Sequence, residues 1–184
     1  MNPCNLQQVS NRNFLSIGGF KLILNRCPKV DFLCNKANLP GITLGVANQS
    51  TYLKNIAVPG DKLQYGDLNI NFLVDEDLEN YHQIYNWMTG LGYPDSLSQY
   101  QELQTENRYF PDRSDAFNER CDGTLLILNS NYQEAGKVKF HGLFPVELTG
   151  IPFDATISEQ QYFTAQASFK YVIFDLIDNE GHEV

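Results

Sequence analysis

Asp67-Leu68-Asn69-Ile70-Asn71-Phe72-Leu73-Val74, running straight into Asp75-Glu76-Asp77-Leu78-Glu79-Asn80-Tyr81, is the stretch that decides the fold class. In its first half Leu68, Ile70, Phe72 and Val74 face one way and Asn69, Asn71 and Leu73 the other. That period of two belongs to a strand with one buried face. The period then changes. Leu78, Tyr81, Ile84, Tyr85, Met88 and Leu91 recur every three or four residues, which predicts an amphipathic helix of about 16 residues, spanning about 75–91. Its face toward the core is assigned to Leu78, Tyr81, Ile84, Tyr85 and Met88. Asp75 is the expected N-cap, and Glu76 and Asp77 suit the positive end of the helix dipole. Gly90, Gly92 and the Tyr93-Pro94 pair predict its end.

Upstream, Phe20, Leu22 and Leu24 alternate with Lys21, Ile23 and Asn25, a strand by the same criterion. Cys27-Pro28-Lys29 reads as a turn, and Val30 to Ala37 as a second strand with Phe32 and Cys34 on one face; Leu39-Pro40-Gly41 stops it. Residues 42–65 mix small, polar and apolar side chains, with Val58-Pro59-Gly60-Asp61 near their end. They predict a long arm with some β structure, since connections of such length are usually functional or disordered and the β-branched and aromatic content speaks against disorder. Residues 1–18 read as a polar extension.

Downstream, residues 95–122 form a polar surface excursion with a short helix around Leu97, Tyr100 and Leu103. Thr124 to Leu128 and Val138 to His141 predict a hairpin turned near Asn129-Ser130-Asn131. Gly142 to Val146 is expected to lead outward into a loop. Tyr162 to Ile177 reads as one long last strand, with Phe163, Ala165, Ala167 and Phe169 alternating against Tyr162, Thr164, Gln166, Ser168 and Lys170. Residues 178–184 form an acidic tail. No repeat or boundary divides the 184 residues, so a single domain over 1–184 is expected.

Composition narrows the function. Hydrophobic residues make up 42% and charged residues 19%, which is globular rather than disordered. The formal net charge of −9, with no cluster of Lys and Arg, disfavours a conventional nucleic-acid-binding module. No apolar run approaches the roughly 20 residues of a membrane span, so no membrane anchor is expected. Met1-Asn2-Pro3-Cys4-Asn5-Leu6 lacks a basic region followed by an apolar one, and folding in the cytoplasm is expected.

The search for chemistry yields little. Cys4, Cys27, Cys34 and Cys121 contain no close pair for zinc, and free thiols are expected rather than a metal site or a bridge. No nucleophile elbow or phosphate-binding glycine loop occurs. His141 could act as a base beside Cys121 only if the fold brought them together. His82 falls beside the polar helix face. Asp75-Glu76-Asp77 lacks the alternating oxygen ligands and turn glycine of a calcium loop, and a capping role accounts for it. No catalytic residue, metal ligand or cofactor is therefore assigned.

The order of these features resembles the tail-tube family of contractile-tailed bacteriophages, over about residues 20–177. The residues carrying the resemblance are Phe32-Leu33-Cys34-Asn35-Lys36-Ala37 with Leu39-Pro40-Gly41, then Val58-Pro59-Gly60-Asp61. Asp75-Glu76-Asp77 with Asn80-Tyr81 and Trp87, and Val138-Lys139-Phe140-His141-Gly142-Leu143-Phe144-Pro145, add to it. The resemblance implies a mainly β protein, a tail-tube-like β sandwich or barrel with one flanking helix and a long intersubunit arm. It implies homohexameric rings that stack into a tube, with tail sheath, baseplate and tail-end proteins as partners. Phage DNA would pass through without sequence-specific binding. The place of action would be the virion tail, assembled in the host cytoplasm. Related folds form the type VI secretion tube and baseplate tube initiators.

On that basis Ile42, Val46, Tyr52, Ile56, Val58, Pro59 and Asp61 are assigned to the intersubunit arm. Asn69 and Asn71 of one strand and Thr164, Gln166 and Ser168 of another are assigned to the lumen, with Lys170 pairing with a neighbouring carboxylate. The excursion at 95–122 exceeds what a minimal tube subunit needs, which keeps a tube initiator or terminator open as the alternative. A monomeric ligand-binding β barrel and a hydrolase are the readings from other classes.

Overall fold

The computed structural model describes Leu15 and residues 18–106, 120–153 and 162–178. Its first half contains β1 (Phe20–Leu24), α1 (Pro28–Leu33), β2 (Cys34–Ala37), β3 (Ile42–Ser50), β4 (Asn55–Tyr65) and β5 (Leu68–Leu73). Two helices follow, α2 (Glu79–Gly92) and α3 (Leu97–Glu106). The chain ends with β6 (Cys121–Leu128), β7 (Glu134–Leu148), β8 (Thr164–Lys170) and β9 (Ile173–Asp178). The chain is mostly β, and its described strands pair antiparallel. Most of the expected extension, the end of the acidic tail, and 107–119 within the expected excursion lie outside the described residues.

Seven strands form one antiparallel sheet in the order β1-β6-β7-β8-β5-β2, with β9 alongside β7. β7 joins its two halves. Residues from Gly136 to Phe140 pair with β6 on one side and with β9 on the other, whereas Phe144 to Leu148 pair with β8. Between those stretches Gly142 has φ +66°, a left-handed value that glycine adopts at no steric cost. The expected outward loop at Gly142–Val146 is therefore wrong: the chain bends at Gly142 and continues as strand. The long last strand breaks opposite the same bend, at Tyr171-Val172, so that β8 follows one half of β7 and β9 the other. The Tyr171 ring fills the corner, 5.1 Å from Phe140 and 5.9 Å from Phe174. Asp178, expected in the tail, still pairs with Gly136.

β5 has the predicted alternation, with Leu68, Ile70 and Phe72 buried and Asn69, Asn71 and Leu73 half-buried. Its apolar face meets Ala165, Ala167 and Phe169 of β8, and the core extends through Leu22, Leu24, Leu125, Val138, Phe140 and Leu143. α2 packs on this core, with Ile84 and Trp87 buried and Tyr81, Met88 and Leu91 half-buried against it. The Trp87 ring lies 6.1 Å from Phe169 and carries the Arg26 guanidinium 5.2 Å from its centre. Leu78 and Tyr85, expected on the core face, are exposed.

The helix also starts later than expected, at Glu79. Asp75 to Leu78 form a turn closed by the Leu78 N–H on the Asp75 carbonyl (3.0 Å), and Leu78 takes the left-handed conformation at the helix start. Asp75 does not cap the helix: its Oδ1 accepts the N–H of Glu76. The joining role belongs to buried Asn80. Its Oδ1 accepts the N–H groups of Asp75 (3.2 Å) and Tyr81 (2.8 Å), and its Nδ2 donates to the Leu73 carbonyl (2.7 Å). Strand end and helix start are thereby fixed by one side chain whose own polar atoms are satisfied. At the other end Tyr93, not a glycine, takes the left-handed C-cap and donates to the Thr89 carbonyl.

Pro28–Leu33, expected as the end of a turn followed by the start of a strand at Val30, forms α1. Pro28 sits in the first turn, where a missing N–H costs nothing, and Val30 is buried while Phe32 projects into solvent. Lys29 pairs with Glu79 across to α2. Asp31 Oδ1 accepts the Leu24 N–H at 2.7 Å. Burial pushes the Asp31 carboxyl up to about 6 from its ordinary 3.8, against the opposing effects of that hydrogen bond and of Lys21. A carboxyl raised on folding binds protons more readily in the native state, so its contribution to stability falls as pH rises from about 4 to about 6. Asp31→Asn should remove that fall. The melting temperature of the variant minus that of the wild type should grow across this interval, by a few degrees at this half-exposed position. A constant difference would show that Asp31 titrates alike in both states.

Candidate assembly surfaces

Four strand segments, β2, β5, β8 and Phe144–Leu148 of β7, turn one face away from the core. The register places Asn69 opposite Ser168, Asn71 opposite Gln166, and Leu73 opposite Thr164. All five residues assigned to a polar face thus stand side by side. Lys36 of β2 lies opposite Asn71, and Glu147 of β7 opposite Ser168. Ser168 Oγ donates to Asn69 Oδ1 at 2.7 Å, and Ser168 is only 7% exposed, so it is covered by its neighbours rather than open to water as expected. Asn69 N–H donates in turn to Asn38 Oδ1, whose Nδ2 reaches the Asp67 carbonyl. Lys170 Nζ lies 3.5 Å from Asp67 Oδ1. The result is a band of amides and hydroxyls with its charges mostly at the margins. It runs between two strand edges without a described partner strand, β2 and the Phe144–Leu148 stretch.

The expected arm is a separate antiparallel hairpin of β3 and β4. Ile42 sits opposite Tyr65 and Leu44 opposite Leu63; farther out Val46 meets Pro59, Ala47 meets Val58 and Gln49 meets Ile56. Between Leu44 and Val46 the register shifts, with Gly45 facing the longer β4. The strands come so close there that a Cβ on Gly60 would lie 2.5 Å from the Gly45 carbonyl oxygen, so glycine is required. At its base the Gly66 N–H donates to the Gly41 carbonyl, and the Tyr65 ring packs edge-on against Tyr171 and Phe174. Beyond that base nearly every residue is exposed, including Ile42, Val46, Tyr52, Ile56, Val58, Pro59 and Asp61. The sequence reading missed Leu44, Leu53 and Leu63, which are equally exposed. Two bulky apolar residues in a turn, Tyr52-Leu53, were the available signal.

His141 is not a base for Cys121: its Nε2 lies 3.1 Å from Asp175 Oδ2, and its Nδ1 3.9 Å from Asp122 Oδ2. Burial pushes the thiols of Cys27 and Cys121 up to about 12 and that of Cys34 to about 11, which is opposite to nucleophile activation. Among the described residues no cluster of three or more His, Cys, Asp or Glu side chains is placed to hold a metal ion, and no helix is long and apolar enough to cross a membrane.

A family profile described as phage tail tube protein matches residues 5–176. No curated protein matches this sequence. Among solved structures, the tube-terminating cap of the anti-feeding prophage is similar, with TM-score 0.62 and 14% identity over 96% of this chain and 99% of that one. The extended sheath–tube complex of an extracellular contractile injection system, PVC, contains a chain with TM-score 0.56 and 11% identity, covering 94% and 97%. A crystal structure of an Hcp protein gives TM-score 0.51 and 8% identity, covering 90% and 96%. At these identities the likeness is one of fold.

Proposed function

The chain belongs to the phage tail tube protein family, and from that premise we propose that it is a structural subunit closing with copies of itself into hexameric rings. The rings stack as the inner tube of a contractile tail and give phage DNA a path into the host. The observation that carries this reading is the amide-lined sheet face lying between two open edges. An open edge invites pairing with another chain. Pairing β2 of one copy with the Phe144–Leu148 stretch of the next closes the sheet around a bore and removes both edges. Asn69, Asn71, Thr164 and Gln166 then line the bore, with Ser168 covered among them and hydrogen-bonded to Asn69. Uncharged amides and hydroxyls, in a chain of net charge −9, make weak and replaceable contacts with phosphate, so DNA slides without being held.

The hairpin reaches a neighbouring subunit. A sheath covers the outside, and baseplate and tail-end proteins meet the tube ends, so the chain acts in the virion tail after assembly in the host cytoplasm. Residues 1–184 serve as one domain with no catalytic role. The likeness to a tube-terminating cap supports a second reading, in which the subunit ends or starts the tube.

Negative-stain microscopy of the purified protein separates the readings: tubes or stacked rings, discrete caps, or isolated particles, the last of which would overturn both. The bore is tested with Gln166→Cys and a thiol reagent too bulky to enter it. Labelling of assembled tubes should drop to the wild-type background, while disassembled subunits label readily. Equal labelling in both states would put this face on the outside.

A further inference from the structure

Two surfaces of this chain are each unfinished alone, and their chemistry matches. The first is the hairpin tip. Tyr52 is 101% exposed and Leu53 90% exposed, so neither packs on its own chain, and Lys54 follows them. The second is a groove of about 620 Å³ where the strand end before α2 meets the segments flanking β8 and following β7. Leu33, Leu78, Ile151, Phe153, Tyr162 and Phe163 line it, with Asp75 and Glu76 at its polar side. The Phe153 and Phe163 rings pack 5.2 Å apart, yet both remain exposed, as do Tyr162 and Leu78.

We propose that the tip Tyr52-Leu53-Lys54 of one copy seats in this groove of a second copy, with Tyr52 and Leu53 on the aromatic wall and the Lys54 ammonium beside Asp75 and Glu76. The proposal rests on the self-assembly reading above and names the contact within it. A two-stranded hairpin is marginal in water by itself, so β3 and β4 need a surface to rest on. β4 has 11 residues and extends about 35 Å at roughly 3.4 Å per residue, against a radius of gyration of about 16 Å for a domain of this length. An arm of that reach ends beyond its own subunit. Exposed apolar clusters of this kind mark association surfaces. The opposite charges fix which end of the tip meets which end of the groove. A small molecule fits less well, because a groove walled by exposed rings cannot enclose the roughly 70–90% of a ligand's surface that such sites bury.

The test is a charge exchange in the full-length chain. Lys54→Glu and Glu76→Lys are both at exposed positions, and each should keep the wild-type circular dichroism and melting curve. Each alone should raise the concentration needed for rings and tubes by about tenfold or more, since the contact repeats in every subunit. Lys54→Glu combined with Glu76→Lys should return it to near the wild-type value. In parallel, Leu53→Cys with Phe153→Cys should form disulfides between chains under mild oxidation, visible as a ladder of covalent oligomers that neither single variant gives. Tubes forming normally in both charge variants, with no ladder, overturn the docking and leave the tube reading intact. A ladder from protein that never forms rings or tubes upholds the docking and overturns the tube reading. Cross-links confined within one chain place the chain's own residues in the groove and overturn the docking.

Discussion

Ile84→Asp is expected to yield no soluble, cooperatively folded protein. Ile84 is 0% exposed at the centre of the α2 face that packs on the core. A carboxylate there loses water and gains no partner. It would stay charged at a cost of several kcal/mol or take up a proton and still leave a buried polar group unpaired. The isoleucine's own burial, about 1.5–3 kcal/mol, is lost as well. Set against a total stability of roughly 5–15 kcal/mol, the sum removes most or all of the margin. The neighbouring Tyr85→Asp is the control, because Tyr85 is 52% exposed and its replacement should change stability by no more than about 0.5 kcal/mol. Soluble Ile84→Asp protein with a wild-type melting curve would mean that α2 does not rest on the sheet by this face.

That pair of neighbours also shows where sequence reading stops. The period of α2 was legible, and Tyr81, Ile84 and Met88 do turn inward. Ranking positions by apolar character, however, placed Leu78 and Tyr85 inside and overlooked Asn80 and Trp87. Asn80 is buried because a strand end and a helix start leave backbone groups that need one side chain to satisfy both, a requirement that no hydropathy pattern expresses. β5 was read correctly along its length since its two faces meet different surroundings, core and open sheet face. The polar partners Asn69–Ser168 and Asn71–Gln166 could be sorted to a face but not set opposite each other, as register between distant strands is a tertiary property. Pro28 was a helix-start signal read as a turn, and it cost the assignment of α1. The break at Tyr171-Val172 answers to the bend at Gly142, thirty or so residues away in the chain, so neither strand end was visible locally. In the hairpin the register shift at Gly45 interrupts the period of two, and the regular strands therefore looked like an irregular arm.

Replacing residues 45–62 by an Asn-Gly turn should leave a folded subunit that no longer assembles. Leu44 and Leu63 face each other across the hairpin, so a two-residue turn can join them without changing the register at the base. The base keeps its attachments, the Gly66–Gly41 hydrogen bond and the Tyr65 ring against Tyr171 and Phe174. Everything removed is exposed or nearly so, and none of it belongs to the core cluster. The melting temperature should therefore stay within a few degrees of wild type, the scale on which about 1 kcal/mol acts for a chain of this length. Assembly is a different matter. The deleted part carries Val46, Tyr52, Leu53, Ile56 and Val58, apolar surface that folding of one chain leaves in water and that association is proposed to cover. Losing it from every subunit removes the same contact at every repeat, and sedimentation should show subunits alone at concentrations where the wild type forms rings and tubes. Tubes of normal diameter and length from the shortened chain would show that the hairpin serves another surface. Loss of folding along with assembly would instead make it part of the subunit's own stability, contrary to the exposure of nearly every residue removed.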